Sequence, residues 1–195
     1  MDGDNPDETF PPTNGRVFGI IALVVGVGVT VLGLVEGAWV LAAVGLLFAG
    51  ISWASLLRPR VAIEDDALVL RNMVDTVRIP LAAVEEVVVR QVLAVRVGEK
   101  RYTSPAVGRP RRQMSKEDLR LGKDAEDLGL GERAFGLFVQ ERIRERAKAA
   151  RERLGIRIAS KEQDALATQV VREPAVPEIA WLAGSLVALV VAVIL

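Results

Sequence analysis

Three stretches of the chain carry no charge, and the rest is short apolar runs broken by polar turns. Val17–Val35 is 19 residues without a charge, Ala38–Leu57 is 20 and Ile179–Leu195 is 17. A helix rises about 1.5 Å per residue, so about 20 residues cross a hydrocarbon core about 30 Å thick. The first two lengths suit a crossing; the third is at the lower limit and crosses with little tilt. The first two, in tandem, show no three-to-four period of a helix buried on one face. Only Glu36 and Gly37 separate the first two, which predicts an antiparallel transmembrane hairpin at 17–57 with both outer ends on one side. Residues 1–16 are long and mostly acidic and a second span follows the first at once, so a cleaved signal peptide is not expected.

Between the hairpin and the last span the pattern becomes that of a sheet. Val61–Ile63, Ala67–Arg71, Thr76–Ile79, Val84–Arg90, Leu93–Val97 and Lys100–Thr103 are short and rich in Val, Ile and Leu. Turn residues separate them: Glu64-Asp65-Asp66, Asn72 to Asp75, Pro80, and Gly98-Glu99. Such close spacing predicts an antiparallel meander, not βαβ units. Residues 105–131 break the pattern and predict an insertion with one short helix, opened by Ser115-Lys116-Glu117-Asp118 and stopped at Gly122. In Glu132–Leu154, Phe135, Phe138, Val139, Ile143, Ala147, Ala150 and Leu154 form one apolar stripe, which predicts an amphipathic helix ending at Gly155. Phe138 and Ile143 are expected to pack on the open end of the sheet. Ser160-Lys161-Glu162-Gln163 is a capping-box pattern, predicting a second short helix to about Arg172. The expected fold is therefore an α+β membrane protein. It has an acidic disordered tail (1–16), the hairpin, an antiparallel β domain with its helix (58–154), a connector (155–178) and a C-terminal span (179–195).

Composition then narrows the chemistry. The chain has no cysteine and no histidine, which excludes disulfides, thiolate nucleophiles, imidazole bases and metal sites built on those ligands. No cofactor or metal is expected, and no enzymatic activity. Net charge is zero, which gives no global attraction to nucleic acid, and Tyr102 is the one base-stacking side chain in the basic region. Residues 58–178 hold 24 of the 25 Lys and Arg and 20 of the 25 Asp and Glu, a net +4. Arg16, Arg58 and Arg60 flank the outer ends of the hairpin, which places those ends and the middle domain in the cytoplasm and Leu195 outside. Trp39, Trp53 and Trp181 lie near span ends, where indoles prefer the interface.

The segment Arg60-Val61-Ala62-Ile63-Glu64-Asp65-Asp66-Ala67-Leu68-Val69-Leu70-Arg71-Asn72, followed by Val77-Arg78-Ile79-Pro80-Leu81-Ala82-Ala83-Val84-Glu85-Glu86-Val87, resembles a bacterial pleckstrin-homology-like (PH-like) domain. A strand ending in Ile-Pro, a few residues, then a valine opening the next strand is common in such domains. With two spans directly before it, the arrangement is similar to the actinobacterial membrane family typified by the low molecular weight protein antigen 6 PH-like domain. Tyr102-Thr103-Ser104-Pro105-Ala106-Val107-Gly108-Arg109 and Phe138-Val139-Gln140-Glu141-Arg142-Ile143 share the likeness. The resemblance covers about residues 16–154 and implies two packed antiparallel sheets closed at one end by Glu132–Leu154. It offers no catalytic residues. The chain departs from it in showing six strands where the fold has seven, and in the interruption at 105–131.

Several motifs carry competing readings. Gly26-Val27-Gly28-Val29-Thr30 lies inside a span and lacks a phosphate-loop lysine, so it reads as helix packing. Gly33 with Gly37, and Gly45 with Ala49, are small-xxx-small pairs that pack the hairpin on itself or on a second copy in a homo-oligomer. Asp65-Asp66 and Glu85-Glu86 are adjacent carboxylates and read as turn and surface charge. Lys100 to Lys123 holds eight basic and two acidic residues, +6. Arg109, Arg111, Arg112 and Lys116 within it are candidate contacts for anionic head groups or a partner, against a solvated loop that only enforces topology. The spans as drawn contain no ionisable residue, which argues against a transporter. The expected function is a membrane-anchored binding or scaffold module, its partners the lipid bilayer and a membrane or cytoplasmic protein, with no nucleic acid. The alternative is an accessory subunit of a larger membrane enzyme or transporter.

Overall fold

The computed structural model describes residues 7–10, 16–108 and 123–194. It divides into two compact units, one of sheets and helices and one of apolar helices that also includes Met73–Asp75.

In the first unit, β2 (Arg60–Glu64), β3 (Ala67–Arg71) and β4 (Asp75–Pro80) pair antiparallel in sequence order. Asp65 takes a positive φ of 51° in the tight Asp65-Asp66 turn, a conformation Asp tolerates better than most residues. Alternate residues Val61, Ile63, Leu68, Leu70, Val77 and Ile79 enter one core. A second antiparallel sheet, β5 (Glu86–Val89), β6 (Leu93–Val97) and β7 (Lys100–Ser104), adds Val87, Leu93, Val95 and Val97 to it. Gly98, with φ +56°, makes the turn between β6 and β7. These six strands match the expected ones to within a residue or two.

Two further strands were not expected. β1 (Glu8–Phe10) pairs antiparallel with β2, Phe10 opposite Val61, and Phe10 is only 5% exposed. Residues 8–10 of the supposed disordered tail thus form a strand of the sheet, with Phe10 in the core, and the hairpin is an insertion between β1 and β2. β8 (Val171–Pro174) lies beside β4, so the larger sheet runs β1-β2-β3-β4-β8. The connector helix accordingly ends early.

The long helix α3 (Lys123–Leu154) starts before the expected Glu132 and stops at Gly155, whose φ of +66° is that of a left-handed C-cap. Val139, Ile143, Ala147 and Ala150 are buried at steps of four, four and three. Phe138 is 57% exposed and Leu154 62%, which corrects the expected stripe. Phe138 lies about 100° around the helix from Val139, on the rim of the buried face. There it meets Phe10 edge-on, with ring centroids 6.4 Å apart, and Phe135 at 6.5 Å. Arg151 is buried on this helix and donates to Val84 O at 2.6 Å.

The helix α4 (Lys161–Ala167) is capped as its sequence implied, Ser160 Oγ accepting from Gln163 N at 3.3 Å. Gln163 is 1% exposed and its Nε2 donates to Ala82 O at 3.0 Å. Buried amides persist only where such partners exist, and this one ties the connector to the 3₁₀ turn Leu81–Ala83.

The second unit holds three helices long and apolar enough to cross a membrane: α1 (Arg16–Val35), α2 (Trp39–Ser52, continued by a π-helical turn Trp53–Leu57) and α5 (Val176–Ile194). The Glu36-Gly37 turn uses a positive φ of 70° at Gly37. Gly33, Gly45 and Ala49 are spent inside the hairpin: a Cβ on Gly45 would come within 2.6 Å of Thr30 N, and one on Gly26 within 2.9 Å of Ala49. Close backbone approach through small residues is how apolar helices associate in lipid. The third helix starts before the expected Ile179, which brings Glu178 into its first turn. That acidic residue, absent from the span as drawn in sequence, pairs with Arg58 at 2.7 Å.

Candidate functional site: a basic concavity on the three-stranded sheet

In the antiparallel register Glu86 faces Arg96, Val88 faces Ala94, Ala94 faces Thr103 and Arg96 faces Arg101. Since strand residues alternate between faces, the valines that fill the core leave Glu86, Val88, Ala94, Arg96 and Arg101 on the other side. With Arg90 these residues line a concavity of about 240 Å³. Its floor is apolar, Ala94 being 4% exposed.

The charges around it are unevenly matched. Arg96 Nε lies 3.3 Å from Glu86 and 3.5 Å from Glu85, whose other oxygen accepts from Gly98 N at 3.0 Å. The side chains of Arg90 and Arg101 form no ion pair with a described residue. Three guanidiniums against Glu86 leave the lining at +2. Arg96 directly opposite Arg101 is a like-charge cross-strand pair, offset on the Arg96 side by Glu85 and Glu86. The arrangement can hold a phosphate or carboxylate by charge-assisted hydrogen bonds. Among the described residues its lining holds one carboxylate, Glu86, and no hydroxyl or thiol.

The edge of β5 is closed to another strand. Val89 N donates to Gln140 Oε1 at 2.9 Å, and Arg144 Nη2 donates to Val87 O at 3.0 Å. α3 comes so near that a Cβ on Gly136 would lie 3.1 Å from Val89 Cγ1. Peptide capture by strand addition is thereby blocked at β5.

A second cluster holds the fold together. Arg142 grips Glu8 with Nε and Nη2, each at 2.8 Å, and Arg146 reaches the same carboxylate with Nε at 3.0 Å and with Nη2. The Arg142 hydrogen bonds hold the Glu8 carboxyl below its ordinary pKa, with help from Arg146 and against the upward push of burial. Arg153 pairs with Asp66 at 2.6 Å. Asp65 N donates to Asp7. The paired carboxylates of the sequence therefore serve turns and surface pairs.

Arg109, Arg111, Arg112 and Lys116, the contacts expected from sequence, lie outside the described residues, as does the helix expected at 115–122. Of the basic run, Arg101 is brought to the concavity. Arg90 and Arg96 were missed. Their only signal was an arginine two places after an apolar residue in adjacent strands, and it means nothing until register is known.

No family model matches the chain, and neither a curated protein nor a solved structure matches it.

Proposed function

We propose that the chain is a non-enzymatic, PH-like binding module, anchored by three spans at the inner face of the cytoplasmic membrane, that takes anionic groups on the Arg90–Arg96–Arg101 concavity. The concavity is the observation that carries the reading: a +2 lining on a sheet face, with Arg90 and Arg101 forming no ion pair with a described residue. The strand order supports the PH-like part. In chain order β1–β4, then β5–β7, then α3 follow the PH-like order, with β1 as the seventh strand and β8 an addition after the helix. The pairing of β1 with β2 supports the topology, because a hairpin of two spans returns the chain to the side it left. Arg16, Arg58 and Arg60 at those ends favour the cytoplasm.

The test uses the full chain in neutral-lipid nanodiscs, titrated with inorganic pyrophosphate. Wild type binds, and binding weakens as salt rises. Arg90→Gln with Arg101→Gln removes two charge-assisted hydrogen bonds, each contributing about 1.5–3 kcal/mol, and so lowers affinity by about a hundredfold or more. Both side chains are exposed and on the outer face, so thermal stability is retained. Anionic lipid in the disc weakens pyrophosphate binding if head groups are the natural occupant and leaves it unchanged if the ligand is soluble. Equal binding by wild type and the double variant rejects the site.

A further inference from the structure

Met73–Asp75, in the turn that joins β3 to β4, packs with the apolar helices. Two hydrogen bonds pin it there. Ala175 N donates to Val74 O at 2.8 Å, and Arg58 Nη1 donates to Asp75 O at 3.2 Å. Arg58 follows Leu57, the last residue of the π-helical turn that ends α2, and Ala175 precedes Val176, the first residue of α5. The turn is thus held between the adjoining ends of two helices that are long and apolar enough to cross a membrane. Its own side chains are placed against the usual order. Val74 is 44% exposed, whereas the charged Asp75 is 7% exposed. A turn facing water keeps its carboxylate out and its valine in.

Depth decides what the exposed valine meets. Trp39–Leu57 is 19 residues, or about 28 Å of helix, close to the hydrocarbon thickness of about 30 Å. A charged residue lies just beyond each end, Glu36 and Arg58, so Arg58 stands at the hydrocarbon edge. Glu178 pairs with Arg58 at 2.7 Å and shares that depth. Ile179 N donates to Ala175 O at 3.0 Å, so the helix already runs from Ala175. Ala175 is three residues from Glu178, about 4.5 Å farther out. The head-group layer is about 5–7 Å thick on each side, and Ala175 and the Val74 bonded to it lie within it.

We infer that the β3–β4 turn is a bilayer contact in its own right, the Val74 side chain entering the boundary between head groups and acyl chains. The partner is the lipid surface around α2 and α5, and no particular lipid is required, because the inserted group is apolar. The contact is separate from the basic concavity. It rests on the helices being membrane spans.

The full chain in phosphatidylcholine nanodiscs tests it, with Val25→Cys, Val74→Cys or Glu99→Cys carrying an environment-sensitive fluorophore. Val74 holds the turn through its backbone oxygen, so exchanging its exposed side chain retains the fold. Nitroxides are placed on the lipid head group or at mid-chain, and iodide is the aqueous quencher. At Val74→Cys the head-group nitroxide removes most of the emission, the mid-chain nitroxide less, and iodide little. At Val25→Cys, half-way along α1 and half-exposed, the mid-chain nitroxide is the stronger. At Glu99→Cys iodide alone quenches. A Val74→Cys probe that behaves like Glu99→Cys overturns the inference and leaves the spans standing. Shielding of that probe from iodide and from both nitroxides overturns it too, in favour of a protein covering the turn. A Val25→Cys probe that mid-chain nitroxide does not quench removes the spans themselves, and the inference with them.

Discussion

A Phe10→Ala protein will melt about 10 °C below wild type. Removing a buried phenylalanine costs about 3–5 kcal/mol, and each kcal/mol shifts the melting temperature of a chain this size by about 2–4 °C. Phe10 is 5% exposed and sits in the same cluster as Val61, Ile63 and Val139. β1 is only three residues long, so the loss will first appear as release of that strand. Hydrogen exchange at residues 61–63, which pair with it, will rise before the rest of the domain opens. Unchanged melting and exchange would show that β1 does not belong to the domain.

Glu8→Gln will give the second-largest loss, and the loss will depend on pH. The Glu8 carboxyl is held below its ordinary pKa, first by the Arg142 hydrogen bonds. A depressed carboxyl contributes stability above its unfolded pKa, about 4.3 for glutamate, and loses it as pH falls through the lower folded value. Wild type should therefore exceed Glu8→Gln in melting temperature at neutral pH, and the gap should close below the ordinary glutamate range. A gap that stays constant with acid would mean that shape, not charge, holds the strand. Alanine at both Arg142 and Arg146 should abolish the gap at every pH.

The reach of sequence reasoning follows from how local each signal is. β2 to β7 were legible because Val, Leu and Ile alternate or cluster between turn residues, and the span pattern was legible because charge is absent for whole helices. Glu8-Thr9-Phe10 looked like tail because what makes it a strand lies elsewhere. Its partner β2 comes after the hairpin, and Arg142 and Arg146 are 134 and 138 residues beyond Glu8. β8 was missed for the same reason, since its partner β4 precedes it by about 100 residues. Helical period placed Val139, Ile143, Ala147 and Ala150 correctly but could not say where the buried face ends, so Phe138 and Leu154 were assigned inward. The basic concavity needs three strands in register before Arg90, Arg96 and Arg101 meet. Composition pointed instead to the denser run at Arg109 to Lys116.

The central claim is that a membrane hairpin is inserted between the first two strands of one domain that stays on the cytoplasmic side. The chain contains no cysteine, so single cysteines report cleanly. Asp7→Cys, Glu36→Cys and Glu99→Cys place a thiol before the hairpin, at its turn and in the β6–β7 turn. With a membrane-impermeant maleimide on intact cells, Glu36→Cys will label, while Asp7→Cys and Glu99→Cys will label only after permeabilisation. Labelling of Glu99→Cys in intact cells, or opposite behaviour of Asp7→Cys and Glu99→Cys, would contradict the account.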